Sequence, residues 1–190
     1  MYDAIVLAGG AARRLDGADK PGLDVRGVPL LDRVLAAVAD ADRVVVVGPR
    51  RDTRTPVEWC REEPPGSGPV AAIAAALPRV AQPVVVLLAA DLPWIGPAVP
   101  VLRSALDDPD VDAAVLTDAD GRRNFLAAAW RTAELHIALD RIGDPAGAAV
   151  RGLYEGTRTA EIGDPAGWGQ DCDTWDDVET ARSRAGGSTA

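Results

Sequence analysis

The chain has 190 residues, 47% of them hydrophobic, and a net charge of −9, which is enough apolar material for one buried α/β core and too acidic to favour a nucleic-acid backbone or an anionic membrane. No apolar run reaches the roughly 20 residues that span a bilayer, and no basic leader with a cleavage site precedes the first apolar stretch, so a cytoplasmic protein is expected. Cys60, Cys172 and the single His136 lack the spacing of a zinc site or a Cys-His pair, and both cysteines read as small apolar residues.

The chain opens on the apolar run Ala4-Ile5-Val6-Leu7-Ala8 and leaves it through Gly9-Gly10. That pattern predicts a strand buried on both faces of a parallel sheet. The glycines let backbone amides approach an anion, and Arg13, Arg14 and Lys20 follow with positive charge, so the turn reads as a phosphate site. Lys20 is the only lysine in the chain. Its compact ammonium suits a movable point charge on a phosphate oxygen, where the arginine fork imposes its own geometry. The bland alternative is a solvated loop lysine.

Apolar residues at helical spacing, with Pro29 at an early position, predict a first helix over 29–38. Residues 43–48 hold four consecutive valines and predict a buried strand closed by Gly48-Pro49, and 57–60 predict a short strand. A loop rich in proline and glycine, 61–69, leads to an alanine-rich helix over 70–77. Alternating strand and helix predicts a parallel sheet with right-handed crossovers.

Residues 83–90 form the most continuous apolar strand and end in Ala89-Ala90-Asp91. A helix over 97–106 and a strand over 112–117 follow. Asp118-Ala119-Asp120-Gly121 is a hairpin turn from which 125–131 returns as a strand, expected as a small lobe over one end of the sheet. Helices over 132–142 and 145–154, an edge strand over 157–162 and a short strand or extended segment over 169–173 come next. Thr174, with Asp177 three residues on, caps a last helix. The tail, 185–190, is expected to be disordered. The whole reads as one domain over 1–184, a three-layer, Rossmann-like, mostly parallel sheet with helices on both faces and a small β-hairpin lobe.

In such sheets ligands collect beyond the carboxyl ends of central strands, so Asp91 should face the same crevice as Gly9-Gly10. Asp171 and Asp173 form a second acidic pair just before a helix. Carboxylates converging on a triphosphate are what Mg²⁺ takes, one or two from the protein and the rest from phosphate oxygens and water. The chemistry these residues suggest is phosphoryl or nucleotidyl transfer. No Gly-Lys-Ser/Thr follows the first strand, and no Gly-x-Gly-x-x-Gly does, which argues against a Walker-type ATPase and a dinucleotide dehydrogenase.

The stretch from Leu7-Ala8-Gly9-Gly10 through Arg13-Arg14, Gly17 and Asp19-Lys20 resembles the signature of nucleotidyltransferases with the sugar-nucleotide transferase fold. In spacing it is most similar to the molybdenum cofactor guanylyltransferases. The resemblance continues, in the family's order, through Pro65-Gly66-Ser67-Gly68, Asp91-Leu92-Pro93, Gly121-Arg122-Arg123 and the run from Asp171 to Asp177. It implies transfer of GMP from Mg-GTP to the phosphate of molybdopterin with release of pyrophosphate, alongside other proteins of molybdenum cofactor biosynthesis, and without nucleic acid or membrane partners.

By the same resemblance Leu7, Ala8, Gly9, Gly10, Glu62 and Gly68 contact the nucleotide, and Arg14 and Lys20 stabilise the triphosphate. Asp91 holds Mg²⁺, with Asp171 or Asp173 as a second ligand. Arg122 and Arg123 either bind the acceptor phosphate or form a solvated face. Several positions depart from the family: Asp16 stands at a glycine position, Val47 at a polar one, and Glu62 replaces an aspartate. Asp171 and Asp173 stand where guanylyltransferases carry asparagines, and aspartates there suit related cytidylyltransferases. Cytidylyl transfer to the same cofactor or another phosphorylated metabolite is therefore the second reading, and a non-catalytic nucleotide-binding domain of the same fold is the third.

Overall fold

The computed structural model describes residues 1–9 and 19–184. Seven strands form one sheet: β1 (Asp3–Leu7), β2 (Arg43–Val47), β3 (Glu58–Cys60), β4 (Val84–Ala89), β5 (Ala113–Thr117), β6 (Arg123–Arg131) and β7 (Thr159–Gly163). Their order is β3-β2-β1-β4-β6-β5-β7. The helices are α1 (Leu30–Ala37), α2 (Pro69–Ala76), α3 (Ala98–Ser104), α4 (Thr132–Ile142) and α5 (Trp175–Arg184).

Every residue of β1 is buried, as an unbroken apolar strand between two helical layers requires. Ala4, Val6 and Ala8 pack on one face with Leu31, Val34 and Leu35 of α1 and with Val99 and Leu102 of α3. Ile5 and Leu7 pack on the other with Val70 and Ile73 of α2 and Leu135 of α4. The period-2 alternation of a strand thus feeds two cores from one short run.

β1 pairs in parallel with β2 and with β4, placing Leu7 opposite Val47 and Ala89. The chain reaches β2 on one side of β1 and β4 on the other, so β1 and β4 flank the point where the strand order reverses, where a crevice opens beyond the strand ends. Close approach shapes that crevice. A Cβ on Gly48, whose φ is +148°, would lie 2.7 Å from the Ala8 carbonyl oxygen, so only glycine lets the chain leaving β2 pass so near the end of β1.

The expected hairpin forms, but it is integral to the sheet and not a lobe over one end. β6 runs antiparallel between β4 and β5. Its residues Ala127, Ala128, Ala129 and Trp130 are fully buried, so the strand has two apolar faces to cover, and a place inside the sheet covers both. The β5–β6 register shifts between Val115 and Leu116, and the Asn124 side chain braces the shift by accepting the Leu126 N–H at 3.1 Å. Residues 145–154 are less helical than expected, a turn followed by a 3-10 helix over Val150–Tyr154. The short strand expected over 169–173 does not form: Gly169 lies in a turn and 170–173 belong to no strand or helix.

The capping box at the last helix is present. Thr174 Oγ1 accepts the Asp177 N–H at 3.2 Å, and Asp177 Oδ2 accepts the Thr174 N–H at 2.7 Å. A third apolar cluster, Val25, Leu30, Cys172, Val178 and Ala181, docks α5 against the start of α1. This docking carries the C-terminal acidic segment to the crevice. The expected tail at 185–190 lies outside the described residues. Among the described residues no helix is long and apolar enough to cross a membrane.

Candidate active site

Asp91 lies two residues beyond β4, and Lys20 opens a 3-10 turn over Lys20–Gly22 that follows the glycine-rich stretch. The two meet: the Lys20 ammonium donates to Asp91 Oδ2 and, at 2.5 Å, to Asp173 Oδ1. Three segments remote in sequence therefore converge on one point at the carboxyl ends of β1 and β4. Backbone pairing helps to set the convergence, because the Cys172 N–H donates to the Asp91 carbonyl oxygen at 3.2 Å. Asp171 and Asp173 are held on either side of that bond.

Charge is balanced unevenly here. Burial acts to lower the Lys20 pKa, but Asp91 and Asp173 outweigh it and hold the ammonium above its ordinary value. Partial burial, followed by the nearby Asp173 and Asp91 carboxylates, pushes Asp171 above the usual carboxylate range. The site is thus short of positive charge. Asp91 Oδ1 is buried and makes no hydrogen bond among the described residues, and an oxygen in that state calls for a cation or a donor.

The other expected residues fall into place unequally. Leu7 and Ala8 are buried, the Leu7 carbonyl accepts the Ala90 N–H at 3.0 Å, and the Ala8 N–H donates to Val47 at 2.8 Å. They fix where the turn starts, and Gly9 is the exposed residue. Gly10, Arg13, Arg14 and Asp16 lie outside the described residues. Glu62 Oε1 accepts the Gly66 N–H at 2.8 Å, shaping the loop that leads to Gly68, and Gly68 stands at φ +97° immediately before α2.

Arg122 and Arg123 sit apart from Lys20, at the β5–β6 turn. Both are exposed; Arg123 pairs with Glu161, its Nη2 at 2.5 Å from Oε1, and Arg122 pairs with Asp120 at 3.5 Å. Both line a cavity of about 740 Å³ together with Asn124, Phe125, Gln170 and Asp171. Asp171 joins that cavity to the carboxylate cluster. Cys172 is buried, and burial pushes its thiol up to about 12, consistent with a packing role. His136 is exposed on α4.

Arg51 was not among the expected site residues. It follows β2 and reaches across to Asp19, with its Nη2 2.5 Å from Oδ1 and its Nε 2.9 Å from both carboxylate oxygens. The available signal was a basic pair, Arg50-Arg51, just past a strand end beside β1. Asn124 was missed as well; its amide donates to the Gly169 carbonyl at 2.8 Å and ties β6 to the segment that ends at Asp171.

A mostly parallel sheet with a lysine and carboxylates gathered at the strand ends defines an α/β protein with a crevice where such folds collect ligands. Residues 4–162 match the MobA-like NTP transferase domain, and the chain belongs to that family. A Synechococcus elongatus protein described as a probable molybdenum cofactor guanylyltransferase is 40% identical over 102 residues, 48% of this chain and 51% of that protein. The chain thus spans about half the length of that relative. A Mycobacterium bovis protein of the same description is 32% identical over 77% of this chain and 74% of its own.

Among solved structures, molybdopterin-guanine dinucleotide biosynthesis protein A from Archaeoglobus fulgidus superposes with a TM-score of 0.74 at 22% identity, covering 96% of this chain and 98% of that one. The 2-C-methyl-D-erythritol 4-phosphate cytidylyltransferase of Thermus thermophilus gives 0.70 at 21% identity, over 95% and 97%. At these identities the two structures share the fold with this chain.

Proposed function

We propose that this chain is an enzyme that transfers GMP from Mg-GTP to the phosphate of molybdopterin and releases pyrophosphate. The observation that carries the reading is the meeting of Lys20 with Asp91 and Asp173 where the glycine-rich turn leaves β1. Membership of an NTP transferase family and the descriptions of the relatives support it.

The donor set fits Mg²⁺. Asp91 offers the buried, unpartnered Oδ1, and Asp173 or Asp171 offers a second carboxylate. Among the described residues no three His, Cys, Asp or Glu side chains are grouped to hold a metal, and Mg²⁺ needs only one or two protein carboxylates when triphosphate oxygens complete its shell. Bound there, the ion supplies charge neutralisation to the triphosphate.

The chain's own residues align and neutralise. An acceptor phosphate oxygen attacks the α-phosphorus, the bond from that phosphorus to the bridging oxygen of the β-phosphate breaks, and pyrophosphate leaves. The attacking oxygen is already anionic, so no strong general base is needed and catalysis is mainly positioning and electrostatics. Lys20 moves its ammonium from the carboxylates to the phosphates as charge develops on the leaving group. The cavity beside Arg122, Arg123 and Asp171 takes the acceptor.

The test is pyrophosphate release by purified protein given Mg²⁺, GTP and molybdopterin, with Asp91→Ala as control. No release above that control overturns the reading. Asp171 and Asp173, in place of asparagines, favour a second reading, CMP transfer from CTP. Running CTP in parallel separates the two, because the correct nucleotide at 100 times its dissociation constant stabilises the fold by about 2.7 kcal/mol.

A further inference from the structure

Resting on the reading of a nucleoside triphosphate site, we infer that Arg51 is a positioning residue that ties Asp19 to the Ala8 backbone and withdraws Asp19 from the site. The Arg51 guanidinium divides its donors between the two. Nη1 donates to the Ala8 carbonyl at 3.2 Å and to the Pro49 carbonyl at 2.7 Å, while Nε and Nη2 hold the Asp19 carboxylate at 2.5 to 2.9 Å. Ala8 and Asp19 are 11 positions apart in the sequence. The Arg51 side chain is 19% exposed and Asp19 57%, so the guanidinium is the more buried partner of a pair at the surface.

Two glycines make room for the clamp. A Cβ on Gly22 would lie 2.7 Å from Asp19 Oδ2, and one on Gly48 would lie 2.7 Å from the same Ala8 carbonyl oxygen that Arg51 binds. At Gly48 the near atoms are backbone and exclude a side chain, while at Gly22 a side chain would have to push the Asp19 carboxylate aside.

The clamp also has an electrostatic consequence. Asp19 is the direct neighbour of Lys20, and an unpaired carboxylate there would compete for the ammonium and repel a triphosphate. Paired with Arg51, Asp19 is neutralised, and Lys20 stays with Asp91 and Asp173. The planar fork holds the carboxylate on one edge and two carbonyls through Nη1, a spread that the three donors of a single ammonium nitrogen do not reproduce. Arg51 therefore acts through Asp19 and the Ala8 backbone, without touching the nucleotide.

The test is binding of a fluorescent GTP analogue with Mg²⁺, and its CTP counterpart in parallel, to wild type, Arg51→Ala, Arg51→Lys, Asp19→Ala and the Arg51→Ala/Asp19→Ala pair. Melting temperatures confirm folding. Arg51→Ala should weaken binding about tenfold or more, because the uncompensated Asp19 carboxylate then competes for Lys20 and repels the triphosphate. Arg51→Lys should fail to rescue it, and the double variant should bind more tightly than Arg51→Ala because the exposed anion is gone.

Wild-type affinity in Arg51→Ala or Arg51→Lys, or additive losses in the double variant, would overturn the inference. Failure of the wild type to bind either nucleotide overturns the triphosphate reading, and this inference with it. Should Arg51→Ala not fold, Gly22→Ala reads the same clamp by displacing the Asp19 carboxylate: weaker binding supports the inference and unchanged binding overturns it.

Discussion

The Cys172 N–H donates to the Asp91 carbonyl oxygen at 3.2 Å, and this single backbone bond laces the C-terminal acidic segment to the end of β4. Because it uses main-chain atoms, it survives side-chain changes at Asp91. Asp91→Asn should therefore keep the fold, with a melting temperature close to wild type, while removing the carboxylate from the site. Nucleotidyl transfer should fall by about a hundredfold or more, the scale of losing one preorganised electrostatic group. Pyrophosphate release measured alongside thermal unfolding checks both halves.

Lys20 carries the opposite charge, and its removal has two readable effects. At an effective dielectric of about 20, one charge ~4 Å from a phosphate is worth roughly 4 kcal/mol before desolvation, so Lys20→Ala should lower kcat/KM by at least about a hundredfold. The same change leaves Asp91 and Asp173 without the ammonium that bridges them. Ligand-free Lys20→Ala should then bind Mn²⁺ more tightly than wild type, measured by electron paramagnetic resonance. Equal Mn²⁺ affinity would show that Lys20 does not hold the carboxylates in solution.

Asp112 gives a pH signature of stability away from the site. Hydrogen bonding from Arg158 outweighs burial and holds the Asp112 carboxyl below the usual carboxylate range. A group whose folded pKa is lowered stabilises the fold above its unfolded pKa and loses that contribution as pH falls through the folded value. Asp112→Asn should melt below wild type at pH 6, and the difference should shrink below about pH 4. Thermal melts between pH 6 and pH 2.5 test this, and a gap that widens in acid would contradict it.

Tyr154 links the sheet to the helical layer. Its hydroxyl accepts from Trp130 Nε1 at 3.2 Å and donates to the Phe125 carbonyl at 2.9 Å, and Trp130 is fully buried. Tyr154→Phe leaves the indole N–H buried without that acceptor and should cost about 1–3 kcal/mol. Denaturant unfolding should show the loss, with nucleotide binding unchanged because Trp130 and Tyr154 pack in the core with α2 and α4 and neither bonds Lys20 or Asp91.

Local pattern made much of this molecule legible. The apolar runs of β1, β2 and β4, the helical spacing of α1 and the Thr174–Asp177 capping box all depend on neighbours within a few residues, and all appear at or near their expected places. The meeting of Lys20 and Asp91 was legible for a related reason: a parallel sheet puts strand ends on one edge, so residues just past them share a crevice.

What only the tertiary structure decided are pairings across long separations. Nothing in the spacing of residues 123–131 says that β6 slots antiparallel between β4 and β5, because hydrophobic periodicity reports burial and not the partner. Nor does local pattern say that Arg51 reaches Asp19, or that Asp173, in preference to a nearer acid, shares Lys20 with Asp91. Those contacts exist because the docking of α5 and the close pass at Gly48 bring distant backbone together. The residue types at the site were written in the chain, and their arrangement came from the packing of the sheet and its two layers.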